Sequence, residues 1–104
     1  MKATFFLKVK FMSNSVRKAP PCLHVTEKGR YSPHLVVKDD EEYLGVTFVQ
    51  GKSVEFDEET DAIAMAIYED VGYDKLVKGA EFFIMEGPHI VGEGRVENIE
   101  VMSF

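Results

Sequence analysis

Three groups of side chains in this sequence have the type and spacing to do chemistry. Cys22-Leu23-His24 sets a thiol and an imidazole two residues apart, and an extended segment would place both on one face. A nucleophile or metal pair built there needs a third group, so His34 or His89 would have to converge on it. No CxxC or HxxxH spacing accompanies the pair, and a packed cysteine beside a surface histidine is the plainer expectation. The carboxylates form two runs, Asp39-Asp40-Glu41-Glu42 and a second from Glu55 to Asp61 that contains Asp57, Glu58 and Glu59. Such runs can ligate a hard cation or supply a general acid and base, but these lack the spaced oxygens and loop glycine of an EF-hand. Solvated turns that discourage edge pairing account for them better, and an acidic surface also steers a basic partner. The third group is basic: Lys8, Lys10, Arg17, Lys18, Lys28 and Arg30, a set able to neutralise phosphates if it shares one face.

The charges are unevenly placed. Residues 1–38 hold eight Lys/Arg and one acid, a net +7, whereas the rest hold four bases and seventeen acids, a net −13. The basic part can be an anion-binding patch, or the acidic part can bind a basic partner. In a third reading, basic and acidic strands neutralise each other side by side within one fold. With 104 residues, 45% of them apolar, the chain is sized for one domain with a single core. One cysteine allows no internal disulfide. No apolar run approaches the roughly 20 residues that span a bilayer, and Lys8 and Lys10 interrupt the N-terminal apolar stretch too early for a signal peptide. A cytoplasmic protein without membrane contact is expected.

The elements that must position these groups are mainly strands. Phe5, Leu7, Val9 and Phe11 alternate with Thr4, Phe6, Lys8 and Lys10, which predicts a half-buried strand with a largely basic outer face. Pro20-Pro21 excludes regular helix or central strand from the loop that follows. Leu35 to Lys38 is a short extended run ending at the first acidic turn. Leu44, Val46 and Phe48 alternate next, and Gln50-Gly51 predicts a tight connection into Val54-Glu55-Phe56 as a hairpin. Asp57 to Glu69 is balanced between a capped helix and a strand in which Ala62, Ala64 and Ala66 alternate with Ile63, Met65 and Ile67. A helical turn fits Tyr73 to Leu76. Glu81 to Met85, a turn at Glu86 to His89, and a Gly-punctuated strand from Ile90 to Ile99 complete the chain. Phe6, Phe83, Met85, Val101, Met102 and Phe104 fall on second faces or at the tail, where they complete the core or form a patch for a partner.

At the C-terminal hairpin the residues become specific. Glu81-Phe82-Phe83-Ile84-Met85-Glu86-Gly87-Pro88-His89-Ile90-Val91-Gly92-Glu93-Gly94-Arg95-Val96 resembles the closing signature of the third domain of elongation factor Tu, through Phe82, Ile84, Glu86, Gly87, Val91, Gly92, Gly94 and Val96. Upstream, Lys28 to Leu35 is similar to a second segment of that family. The resemblance implies an all-β, closed, six-stranded antiparallel barrel spanning 1–104, and it decides for strand in the balanced stretch. In the family the barrel grips the acceptor and T-stem of tRNA and packs against a GTPase domain. Here no GxxxxGKS or GxxxxGKT loop is present to cradle phosphates. His89 stands where the family has arginine, and Glu93 replaces a small residue between Gly92 and Gly94, opposing an RNA backbone.

The sequence therefore favours a non-catalytic module without cofactor or metal that binds a protein, either a translation component or an effector that it neutralises. Two alternatives stand beside it. One is a tRNA- or RNA-binding barrel using Lys8, Lys10, Arg17, Lys18, Lys28, Arg30, His89, Gly92 and Gly94, which requires those cations to share a face free of carboxylates. The other is a small thiol or metal enzyme centred on Cys22 and His24. Self-association is a further expectation if a second-face apolar patch is left uncovered.

Overall fold

A computed structural model describes residues 2–52, 54–68 and 72–102. Phe104 and the side chain of Met102 lie outside them. The described residues form strands β1 (Lys2–Phe11), β2 (His34–Val37), β3 (Leu44–Gly51), β4 (Glu59–Ala66), β5 (Glu81–Glu86) and β6 (His89–Met102). The strands close into an antiparallel barrel in the order β1-β4-β3-β2-β5-β6.

Period-two patterning sets what faces inward. On β1, Phe5, Leu7, Val9 and Phe11 are buried, and on β3 Leu44, Val46 and Phe48 are buried. Between them runs β4, whose inward residues are Ala62, Ala64 and Ala66, while the larger Ile63 and Met65 point outward and are only half-buried. Packing explains this inversion of the usual large-inside rule. Phe5, Phe11, Phe48 and Phe82 fill a narrow six-stranded interior, and native density leaves β4 room for methyl groups only. Of the balanced stretch, Glu59–Ala66 is thus a strand, Asp57 belongs to the turn before it, and Glu69 lies outside the described residues.

The expected hairpin into Val54-Glu55-Phe56 is corrected. Gly51 pairs with Ala62 and Gln50 with Ile63, so the returning strand is β4, and residues 52–58 form the connection. Val54 and Phe56 pack against the core, where side-chain burial replaces ladder hydrogen bonds. The ends of the barrel are covered by loop residues. Leu23, 1% exposed, packs over Gly51, and Leu76, also 1% exposed, comes from a turn in which its N–H donates to the Tyr73 carbonyl at 3.0 Å.

Three bulges interrupt the ladders of the described residues, one of them at Val91 between β5 and β6, and the other two shape the outer surface beside β1 and β4. Between Phe6 and Leu7, β6 carries Glu97 as an extra residue, because Phe6 faces Asn98 and Leu7 faces Val96. Between Phe48 and Gln50, β3 carries Val49 as an extra residue against β4. Each bulge bends its strand and raises the local twist. Both flank the paired residues Phe6 and Ile63.

Candidate functional site: an apolar groove beside a neutralised charge lattice

The basic outer face of β1 meets acidic neighbours on both sides. Lys8 faces Asp61 in the β1–β4 ladder, and its Nζ lies 2.8 Å from Asp61 Oδ1. This hydrogen bond holds the Lys8 ammonium above its ordinary pKa and the Asp61 carboxyl below its own. Lys10 lies 4.0 Å from Glu93 on β6, and Lys38 reaches the other oxygen of the same carboxylate at 3.5 Å while its ammonium sits 5.1 Å from the centre of the Phe83 ring. Arg95 bridges Glu59 at 3.4 Å and Glu97 at 3.0 Å. Of the three readings of the charge asymmetry, mutual neutralisation is what this face displays. Such exposed pairs set register more than they add stability.

Arg17 is also partnered. Its Nη1 donates to Glu86 Oε2 at 2.5 Å, and the Tyr31 hydroxyl donates to the same oxygen at 2.6 Å. The guanidinium lies 5.5 Å from the Tyr31 ring centre, and that ring stacks on Phe48 at 5.7 Å. Burial, reinforced by the Glu86 carboxylate, pushes the Tyr31 phenol far above its usual range, so it remains a donor. This cluster ties the segment between β1 and β2 to the β5–β6 turn, and nothing local in the sequence announces it because its members are up to 69 residues apart. Lys18, Lys28 and Arg30 are exposed on that segment, and His89 is exposed at the turn. The cations proposed for RNA therefore do not share one carboxylate-free face: Lys8, Lys10 and Arg17 each sit against an acid.

Gly92 and Gly94 turn toward the interior, away from any ligand at the surface. A Cβ on Gly92 would lie 2.7 Å from the Lys10 carbonyl oxygen, and one on Gly94 would collide with the Lys8 carbonyl oxygen and come within 2.9 Å of the Phe82 ring. These glycines let β6 cross closely over β1.

The acidic runs stand at opposite ends of the barrel. Asp39 to Glu42 follow β2, beyond Val37, which pairs with Phe82 near the start of β5. There the Asp40 carboxylate pairs with the Lys75 ammonium at 2.8 Å, which lowers its pKa. Asp57 to Glu59 lie at the other end, where the Asp57 N–H donates to the Phe11 carbonyl at 2.7 Å. Asp57 accepts from the Ser13 hydroxyl at 2.6 Å and from the Ser13 N–H at 3.2 Å, and these bonds hold its carboxyl below the usual range.

Cys22 Sγ lies 3.3 Å from His24 Nδ1 and 3.4 Å from Nε2, and both residues are exposed. Neither expected third group joins them: His34 packs on Tyr43, with ring centres 5.6 Å apart, and His89 opens β6. Among the described residues no group of three His, Cys, Asp or Glu side chains is arranged to hold a metal ion. No described helix is long and apolar enough to cross a membrane.

An apolar hollow lies on the outer face around Phe6 and Ile63, beside the bulges at Glu97 and Val49. Its volume is about 350 Å³, with Phe6 and Ile63 as its apolar floor and Gln50, Lys52, Asp61 and Glu97 around its margin. An apolar floor inside a polar margin suits apolar groups of either a protein side chain or a small molecule. No protein-family model matches this chain, and no curated protein matches it.

Proposed function

We propose that this chain is a non-catalytic protein-binding module, built on a barrel like the third domain of elongation factor Tu. It holds apolar side chains of a partner in the groove over Phe6 and Ile63. The closed six-stranded barrel and the hairpin over 81–96 support the family part of this reading, and the resemblance points first to a partner in translation. The observation that carries the binding part is the placement of large apolar side chains on the outer surface of β1 and β4 between two bulges, while the interior takes only alanines from β4. A groove of this volume accommodates one or two anchoring side chains, and a few such anchors dominate most interfaces.

The test compares wild type with Phe6→Ser and Ile63→Lys as baits. Proteins captured from lysate by wild type are identified, purified and titrated against all three forms. A partner whose affinity falls at least about tenfold in either variant fits a lost anchor worth more than about 1.4 kcal/mol. If every captured protein binds folded variants and wild type equally, the groove reading is wrong.

A second reading rests on Lys18, Lys28 and Arg30, which are exposed and make no ion pair among the described residues. Three phosphate contacts predict a log–log salt slope no steeper than about −3 for tRNA, a weak grip. A steeper slope in a gel-shift titration would require Lys8, Lys10 or Arg17 to leave their carboxylates.

A further inference from the structure

We propose that the outer face around Gly45 docks an arginine-bearing basic segment of a partner protein. This rests on the reading of the chain as a protein-binding module but not on the Phe6–Ile63 groove, which lies elsewhere on the barrel. Gly45 faces outward on β3 opposite His34 of β2 and is buried beneath aromatic side chains. A Cβ at this position would lie 2.7 Å from Tyr68 Cε2 and 3.8 Å from His34 Cδ2, so the Tyr68 ring lies directly on the Gly45 backbone and would have to shift to admit a larger residue. Tyr43 extends the surface, its ring tilted 58° to that of His34. The backing is fixed by Tyr73, whose hydroxyl donates to the Gly45 carbonyl at 2.5 Å and accepts from the Tyr68 N–H at 3.3 Å.

Tyr43 is 47% exposed and Tyr68 50% exposed, and neither hydroxyl is engaged by another described residue. Two large exposed aromatic rings beside an imidazole offer negative π faces to a cation. The charge around them has the complementary sign. Residues 39–45 and 72–75 hold the carboxylates of Asp39, Asp40, Glu41, Glu42 and Asp74 against one base, Lys75, which Asp40 already binds. Lys38, the neighbouring cation, is drawn away onto Phe83 and Glu93. An excess of carboxylate repels phosphate, so a stacked nucleobase is the weaker fit. Guanidinium, planar and weakly hydrated, stacks on such rings better than ammonium does.

The test is an amide NMR titration of the full chain with a short arginine-glycine peptide. Shifts centred on His34, Tyr43, Gly45 and Tyr68 are expected, stronger than those from a lysine-glycine peptide and weakened by salt. Tyr43→Leu, which keeps bulk but removes the π face, should weaken binding about three- to fivefold. Ile63→Lys should leave it unchanged, so failure here and failure of the groove reading are separately visible. Shifts centred on Asp57 to Glu59, equal affinity in Tyr43→Leu, or the same amides responding to an oligouridylate would each overturn the proposal.

Discussion

Adding one methyl group at Gly94 should weaken the barrel more than removing a whole carboxylate next to it. In Gly94→Ala the new Cβ meets the Lys8 carbonyl oxygen, which cannot swing aside because it belongs to the β1 backbone, and the Phe82 ring at 2.9 Å. Overpacking of a well-filled core costs about 1–3 kcal/mol, and an immovable backbone obstacle places this site at the upper end. The alanine returns about 0.4–1 kcal/mol by restricting the unfolded chain, leaving a net cost of about 2–3 kcal/mol. For a domain of this size each kcal/mol moves the melting temperature by about 4–8 °C, so a fall of roughly 10–20 °C is expected. Glu93→Ala is the comparison: it removes the ion pairs to Lys10 and Lys38 on the outer face and should cost less than about 1 kcal/mol. Thermal unfolding followed by circular dichroism, with urea midpoints as a second measure, reads both. A Gly94→Ala protein melting within about 4 °C of wild type, or no lower than Glu93→Ala, would refute the close crossing of β6 over β1.

Two further perturbations address contacts at the end of the barrel where β1 finishes. Glu86→Ala removes the acceptor shared by Arg17 and Tyr31 and should cost about 1–3 kcal/mol, with hydrogen exchange accelerated first across residues 12–33; unchanged exchange there would mean the cluster does not hold the loop. Asp57 has a depressed carboxyl, so its contribution to stability is complete above the unfolded value near 3.8 and is lost as pH falls through the lower folded value. Asp57→Asn should flatten that acid part of a urea-midpoint curve, and a variant curve parallel to wild type would remove Ser13–Asp57 as an acid-sensitive contact.

Alternation along β1 and β3 was enough to assign Phe5, Leu7, Val9, Phe11, Leu44, Val46 and Phe48 to the interior, because period two is a local property of the chain. The strand at Ala62 to Ala66 was legible only through the family resemblance, since its propensities were balanced with helix. Which of its faces pointed inward depended on how much space the phenylalanines of other strands had taken. The expected return strand at Val54 to Phe56 failed for a related reason: register is fixed by pairs such as Gly51 with Ala62, and the bulge at Val49 shifts the phase. The charge asymmetry was visible in the sequence, but the pairing of Lys8 with Asp61 and Lys10 with Glu93 is a product of strand order. The cluster of Arg17, Tyr31 and Glu86 and the aromatic surface around Gly45 join residues distant along the chain, so neither had a local signal.

Closure of the six strands has a consequence for how such a protein can change its ligands. An open sheet can recruit a partner by lending it a backbone edge, an interaction nearly indifferent to side chains and prone to capture unintended strands. In a closed barrel the strand backbones are already paired with one another, so binding at the two proposed surfaces would rest on side chains such as Phe6, Ile63, Tyr43 and Tyr68 on the outer wall. Outward substitutions of that kind leave the interior packing untouched. Specificity can therefore drift from one partner to another by surface replacement alone while the scaffold stays the same.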